Sequence, residues 1–445
     1  MKTDFPEFVA EILHKFERAG YQIYIVGGVV RDLMLKRGTG DWDFTTDATP
    51  EQILELFPDG FYNNQFGTVG IAHESSEKPY EITTYRTEHG YADKRRPDKV
   101  SWGKSLEEDL ARRDFTINAM AISASKEIVD PYGGQKDLEK KIIRTVGNPV
   151  DRFSEDSLRM MRAVRIAAEL GFLIEEKTFD AIKMHAQDLK HVSWERIRDE
   201  LFKILASGYP DEGTKMLHSS GLLTYILPEL EEAIGVEQKS PGRHHIYDVY
   251  NHLLMALKYC PSPDPLVRLA TLLHDVGKIK TRKVTEKGVV TFYNHEVVGA
   301  GQSKDVANRL KLSKKQKDKL WILIRHHQFT VDERQTDSAI RRFIKNVGVE
   351  NLEDMLALRT GDRLGGGARE TSWRLDKFKK RLEEVQIQPF SVKDLAINGK
   401  DVMETLGIPS GPQVGEILNT LFAEVEEDLA RNTCEYLLER VKELS

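Results

Sequence analysis

Between residues 21 and 46 the chain reads YQIYIVGGVVRDLMLKRGTGDWDFTT, and this run limits the fold more than any other. Its first six residues have the β-branched and aromatic make-up of a strand. Gly27 and Gly28 break it, VVRDLML reads as a short helix, and DWDFTT as a second strand. The same alternation surrounds the run. An amphipathic helix extends to about residue 18, Thr49-Pro50-Glu51 places a capping threonine ahead of a first-turn proline, and TVGIAH and YEITTYR supply further strands. The polar stretch TEHGYADKRRPDKVSWGKS reads as a mobile loop. From about Asp151 onward nearly everything has helical periodicity, with GVVTFYN near 288–294 as the one strong strand run. The expectation is a head of about 150 residues in which helices and strands alternate, followed by an all-helical remainder. A soft boundary falls at VEQKSPGRHH, where proline and glycine punctuate the helices.

A chain of 445 residues exceeds one compact core, so two to four domains are expected. A net charge of -6 gives no global attraction to nucleic acid, and any such contact must come from local basic patches. Cys260 and Cys434 lie far apart without metal-type spacing, which fits a reducing compartment and excludes a cysteine zinc site. Charges interrupt the N-terminal helix at helical intervals, unlike a signal peptide, and no apolar run is long enough to span a membrane. A cytoplasmic location is expected.

Asp41 and Asp43 stand two residues apart in the second strand of the opening run. Side chains alternate faces along a strand, so the two carboxylates project to the same side, about 6–7 Å apart along the backbone. They repel unless a cation sits between them, and Mg2+, with hard oxygen ligands and room for substrate phosphates, suits that place. Gly27 and Gly28 let backbone N–H groups approach a phosphate, and Arg31 offers a fixed positive fork. A D-x-D pair alone reads as a solvated strand edge. The glycine turn, Arg31 and the strand–helix–strand context favour a site.

GGVVRDLMLKRGTGDWDFTTDATP resembles the signature of the class II nucleotidyltransferases, the tRNA CCA-adding enzymes and bacterial poly(A) polymerases. The resemblance continues in order through RRDFTINAMA at 112–121, DPYGGQKDL at 130–138, EDSLRMMRAVRIAAELGF at 155–172 and ERIRDELFKIL at 195–205. It implies an α+β head of the nucleotidyltransferase fold, a small mixed sheet with helices. It also implies two-metal nucleotidyl transfer with Asp41 and Asp43 as catalytic Mg2+ ligands and tRNA, CTP and ATP as substrates. Glu81 is a candidate third carboxylate, and a solvated strand glutamate is an equal alternative. Gly28 belongs to the implied nucleotide-binding turn. By the same resemblance Asp156 and Arg159 hydrogen-bond the edge of cytosine or adenine, while Arg113, Arg162 and Arg165 hold triphosphate or ribose. On a continuous helix, Asp156, Arg159, Arg162 and Arg165 follow at steps of three; neighbours touch, but Asp156 and Arg165 drift to nearly opposite sides. YADKRRPDKVSW at 91–102, with Arg95, Arg96 and Pro97, resembles the family's flexible loop for switching from C to A, which favours full CCA addition over an enzyme that adds only CC, with poly(A) polymerase, which shares the head, as the main rival.

The helical region carries a second constellation: His252, His274 with Asp275 in HDVGK, His295, His326 beside His327, and Asp362. A tandem His-Asp after an apolar helix, with further histidines and a late aspartate on separate segments, resembles the HD-type metal-dependent phosphohydrolases. That resemblance implies one or two divalent ions of unspecified identity activating water on a phosphoester. The implied ligands are His252, His274, Asp275, His295, His326 and Asp362; spacing leaves open whether His326 or His327 is the ligand. Lys278 reads either as a phosphate contact or, more simply, as a helix-end lysine. The organisation expected is a nucleotidyltransferase head at 1–150, a helical neck at 151–235, an HD domain at 236–380 and a helical tail at 381–445, in which GIPSGPQVG joins two amphipathic stretches as a helix-turn-helix. The function expected is CCA addition to tRNA with an HD-domain phosphohydrolase activity. A poly(A) polymerase, or an HD phosphohydrolase with an RNA-binding head, is the alternative. No membrane and no obligate protein partner are implied. Docking of tRNA, the HD-domain substrate and the oligomeric state are left open.

Overall fold

The computed structural model describes residues 5–64, 67–74, 76, 78–89, 99–103, 105–238, 247–329, 331, 335–368, 372–386 and 392–444. The chain divides into two compact units, residues 1–232 with 309–311 and residues 233–308 with 312–445.

The first unit begins with α1 (Glu7–Arg18), which buries Val9, Ile12, Leu13 and Phe16, the stripe that a 3.6-residue period puts on one face. Strand β1 (Ile23–Val26) comes next, then α2 (Gly28–Met34) and β2 (Asp43–Thr46). Helix α3 (Pro50–Leu56) starts as its sequence predicts: Gln52 N–H donates to Thr49 Oγ1 at 3.4 Å, Thr49 N–H donates to Gln52 Oε1 at 2.9 Å, and Pro50 fills the first position. Strands β3 (Phe61–Asn64), β4 (Thr68–Ile71) and β5 (Tyr80–Thr84) complete this half of the sheet. The stretch read as a loop holds a hairpin, β6 (Arg86–His89) paired antiparallel with β7 (Lys99–Trp102). Hairpin pairing satisfies backbone groups whatever the side-chain polarity, which hid these strands from a hydrophobicity reading. Residues 91–98 of the expected switching loop, with Arg95, Arg96 and Pro97, lie outside the described residues.

Helix α4 (Leu106–Ala111), the short strands β8 (Ala121–Ile122) and β9 (Ile128–Val129), and α5 (Gly134–Lys140) finish the sheet region. The main sheet has the order β3-β4-β5-β2-β1-β8-β9, with β2 and β5 parallel and the other pairs antiparallel. It is the mixed α+β head expected. Register sets the neighbours of the paired aspartates: Asp43 pairs with Val26 on one side and with Glu81 on the other. Strand β1 therefore delivers Gly27 beside Asp43. Helices α6 (Pro149–Glu155) and α7 (Leu158–Leu170) open the helical part, and α7 buries Met160, Met161, Val164 and Ala167 against neighbours that include the helix Trp194–Ala206.

The second unit is largely helical. The segment expected as a strand at 288–294 keeps only Val290–Thr291, paired with Lys283–Val284, because Asn294 turns into a left-handed conformation (φ 62°) just before the helix at His295. Helix Leu352–Gly365 lies very close to helix Val249–Tyr259: a Cβ on Gly361 would stand 2.6 Å from Ala256 O and one on Gly365 2.5 Å from Ala256 N. Only glycine permits that approach, and it brings Asp362 to His252. Near the C-terminus, helices Gly399–Leu406, Pro412–Glu427 and Cys434–Glu443 share a core of Val402, Leu421, Leu437 and Val441. The turn predicted at GIPSGPQVG joins the first two. Among the described residues no helix is long and apolar enough to cross a membrane.

Candidate functional site

Trp42 is buried at 8% exposure, so Asp41 and Asp43 both turn away from the core. Asp41 precedes β2, and both its oxygens take the Lys78 ammonium, at 2.8 and 3.0 Å. Asp43 still reaches solvent, but the protein packed around it and the charges of Glu81 and Asp41 push its pKa up to about 6, against the pull of Arg113. The direction follows from the neighbouring acids as well as from the packing. Three carboxylates gathered at neighbouring positions form a place suited to a cation.

Asp43 opens onto a cavity of about 330 Å³ lined by Gly27, Gly28, Arg113, Asp156, Arg159 and Arg162, and also by Arg112, Asp114, Asn118, Leu158 and Arg196. Gly27 has φ 82°, and a Cβ there would stand 3.2 Å from Arg113 Nη1 and 3.5 Å from Asp43 Oδ2. Its missing side chain leaves the turn open to the guanidinium and the carboxylate. Arginines of the cavity are held by carboxylates. Asp109 pairs with Arg112 at 2.6 Å and Arg113 at 3.2 Å, Asp114 accepts from Arg162 Nε at 2.7 Å, Asp156 from Arg196 at 2.7 Å, and Glu155 from Arg159. Burial pushes the Asp109 and Asp114 pKa values up, but their arginines, with Asn118 at Asp114, outweigh it and keep both below the ordinary carboxylate range.

Two residues predicted here are placed elsewhere. Arg31 is buried and turned inward: its Nη1 donates to Asn118 Oδ1 at 2.9 Å and it forks onto Asp32 at 3.0 Å, tying α2 to the 116–118 turn. Arg165 has its Nε 3.3 Å from buried Glu200 and does not line the cavity. The assumed continuous helix through Asp156 is also corrected. The chain leaves helical geometry at Asp156 (φ -145°, ψ 105°), where Oδ1 accepts from Leu158 N–H at 3.0 Å ahead of α7. This break leaves Asp156 and Arg162 in the same cavity, whereas Arg165 falls on the face toward helix Trp194–Ala206. Arg112, Asp114, Asn118 and Arg196 were missed as lining residues although they lie inside quoted motifs, because a sequence does not show which side chain of a motif meets a distant segment.

In the second unit six side chains converge. His252 Nε2 lies 3.3 Å from His274 Nε2, and both approach Asp362 Oδ1, at 3.2 and 3.5 Å, and Asp275 Oδ2, each at 3.4 Å. On the other side of Asp275, Oδ1 is 3.1 Å from His295 Nε2 and 3.5 Å from His327 Nε2. His274, His295 and His327 place Nδ1 at 2.7, 2.9 and 2.7 Å from the carbonyls of Thr271, Phe292 and Ile324. A ring that donates through Nδ1 presents an Nε2 lone pair to the centre, the arrangement metal-binding histidines use. Burial works against a charged His274 ring, but Asp275 and Asp362 outweigh it and raise its pKa, so this corner draws cations. His326 is corrected: its ring packs edge-on against Trp321, with centroids 6.1 Å apart, and His327 is the histidine in the cluster. Lys278 is more than a helix-end charge, since its Nζ reaches Asp275 Oδ2 at 2.5 Å and Gln238 Oε1 at 2.7 Å. The cluster opens into a cavity of about 490 Å³ that Lys278, Asn294, Gln328 and Arg359 also line.

Comparison with known proteins places these features. Residues 23–144 match the poly A polymerase head domain, 171–234 the family described as "Probable RNA and SrmB- binding site of polymerase A", and 284–441 a tRNA nucleotidyltransferase domain 2. The CCA-adding enzyme of Geobacillus kaustophilus is 32% identical over 99% of this chain and 98% of its own, and that of Geobacillus stearothermophilus 34% identical over the same shares. A crystal structure of the Bacillus stearothermophilus CCA-adding enzyme in complex with CTP superposes with a TM-score of 0.74 at 30% identity, covering 99% of this chain and 98% of that one. The Thermotoga maritima CCA-adding enzyme complexed with tRNA, covering 99% and 96%, shares the fold at a TM-score of 0.62 and 21% identity. Identity at this level over the full length of both chains means that this chain belongs to the family of the CCA-adding enzymes, the tRNA nucleotidyltransferases with a poly(A)-polymerase-type head.

Proposed function

We propose that the chain completes tRNA 3′ ends by adding C, C and A from CTP and ATP. The observation that carries this reading is Asp43, with Asp41 and Glu81 near it, at the mouth of an arginine-lined cavity behind a glycine turn. Asp41 and Asp43 would hold two Mg2+ ions, which when bound would supply the charge that makes the RNA 3′-hydroxyl a better nucleophile and offsets that on the triphosphate and pyrophosphate. Arg113 and Arg162, fixed by Asp109 and Asp114, orient the triphosphate without having to be ordered at each turnover. Asp156 accepts from an exocyclic amino group and Arg159 donates to ring acceptors, a pairing that suits cytosine and adenine. The head at 1–150 performs the transfer, and the neck at 151–235 contributes the base-selecting residues. The test is incubation with tRNA lacking CCA, magnesium and labelled CTP or ATP. Addition limited to C, C and A is expected; a long A tail selects poly(A) polymerase instead.

A second activity rests on the convergence of His252, His274, Asp275, His295, His327 and Asp362. In this reading residues 236–380 form an HD-type phosphohydrolase in which those side chains hold one or two divalent ions, with the two oxygens of Asp275 facing the two halves of the set. Lys278 and Arg359 are placed to bind a phosphoester in the adjoining cavity. Opening of a 2′,3′-cyclic phosphate to a phosphomonoester, or release of phosphate from a terminal monoester on an RNA end, is the readout, and a metal-loaded protein without either activity removes this second reading while leaving the first.

A further inference from the structure

Resting on the transferase reading, we infer that the cleft between β3 and the β4–β5 connection seats the 3′-terminal nucleotide of the RNA that is being extended. This cleft of about 330 Å³ is lined by Phe61, His73, Glu74, Ser76, Lys78 and Pro79. In the sheet order, β3, β4 and β5 lie on one side of β2, while β1, which carries the Gly27 turn of the arginine cavity, lies on the other. The two hollows therefore flank the strand of Asp43 from opposite sides. One ends on Asp43, and the other on Lys78, whose ammonium holds Asp41. Transfer to a 3′-hydroxyl requires the attacking oxygen and the departing pyrophosphate on opposite sides of the reacting phosphorus. With the triphosphate among the arginines, the acceptor has to enter from the Lys78 side.

The side chains of the cleft suit a nucleotide. Phe61 is 45% exposed, in register with Gly70, Glu81 and Asp43 across the sheet, and its ring is held against the bare backbone of Gly70, where a Cβ would come within 2.6 Å of it. It thus presents a fixed aromatic face, which binds any base by stacking and needs no sequence preference, as an acceptor that ends first in one base and then in C demands. His73, stacked on Phe8, and Lys78 place two groups able to carry positive charge where the backbone phosphate of the terminal nucleotide would lie, and Ser76 and Glu74 offer partners for ribose hydroxyls.

The test is steady-state C addition with RNA varied at saturating CTP and CTP varied at saturating RNA. Phe61→Ala is expected to raise KM for RNA about tenfold while KM for CTP stays within about twofold, the loss of one base stack. Phe61→Trp is expected to restore RNA affinity. Phe61→Leu keeps an apolar cover over Gly70 but lacks the aromatic face, and is expected to behave like Phe61→Ala. Wild-type behaviour of Phe61→Leu, an unchanged KM for RNA in Phe61→Ala, or an equal rise in both KM values overturns the proposal. Should the wild-type chain add no nucleotide, the transferase reading fails by itself; fluorescence anisotropy of a labelled RNA ending in CC, without nucleotide, still decides the cleft, since equal affinity for wild type and Phe61→Ala overturns it.

Discussion

The carboxylates of the head and the histidine cluster of the second unit are both arranged for cations, yet the Asp41 side chain is 67% exposed while that of His274 has no exposed surface. The head offers oxygen ligands only, two of them neighbours in one strand register, open to water and to a cavity that admits a triphosphate. The second centre surrounds its ligands with protein and mixes imidazole with carboxylate. An exposed set of oxygen ligands suits a hard ion that arrives and leaves with a nucleotide, whereas a buried set that mixes nitrogen with oxygen at the floor of its cavity suits an ion held more firmly.

The sharpest way to break this contrast is a crossed pair of substitutions. Asp43→Ala is expected to lower nucleotide addition by at least about a thousandfold, because the charge that stabilises the transition state is lost, and to leave metal content and hydrolysis in the second unit unchanged. His274→Ala is expected to do the reverse, with addition of C and A within about twofold of wild type. Joint loss in either variant, with the fold intact by circular dichroism, ends the two-site account. A smaller effect separates retention: after dialysis against a weak chelator, elemental analysis is expected to find metal still in the wild-type protein and none in a His252→Ala, His274→Ala double variant. Metal lost from both alike removes the distinction between the exposed and the buried ligand set.

The pH dependence sharpens the head's side of the comparison. Asp43 is raised to about 6 in the fold from an ordinary 3.8. Its protonated form is therefore favoured by folding, so its contribution to stability is fully present below the ordinary value and is lost as pH rises through about 6. A bound ion needs the carboxylate, and Mg2+ affinity is expected to fall about tenfold per pH unit below 6. Calorimetric titration between about pH 5 and 7 measures this; a flat profile means that Asp43 is no ligand. The smallest effect distinguishes two arginines of one helix. Arg165→Ala takes from buried Glu200 the nearer of its two cations, Arg165 at 3.3 Å against Lys203 at 3.8 Å, and is expected to cost about 1–3 kcal/mol in thermal unfolding with KM for CTP unchanged, whereas Arg162→Ala, in the cavity, is expected to raise that KM.

Legibility followed sequence distance. The Gly27 turn and the Asp41–Asp43 pair are close in sequence, and alternation about buried Trp42 was enough to turn both carboxylates away from the core. The six-membered cluster was legible as residue types but not as a choice between His326 and His327, since that depends on where helix Lys314–His326 ends: His327 falls at its cap and turns inward. Arg31 and Arg165 misled because a cation within a binding motif looks the same in one dimension whether it meets a phosphate or a buried carboxylate. The break at Asp156 left a local sign that was passed over, since Asp156 and Ser157 are residue types that start helices and Asp156 Oδ1 accepts from Leu158 N–H ahead of α7. The hairpin β6–β7 escaped because its pairing is carried by backbone groups and not by an apolar face.

The carboxylate-held arginines of the head bear on how the cavity holds what it binds. Arg112, Arg113, Arg159, Arg162 and Arg196 are set against Asp109, Asp114, Glu155, Asp156 and Asp43, so the positive and negative charges around the cavity nearly cancel. The pocket resembles a mould more than a magnet. On the transferase reading, its arginines position a phosphate group through donors fixed in direction and not through an excess of positive charge, which is left for a metal ion at Asp43 to supply.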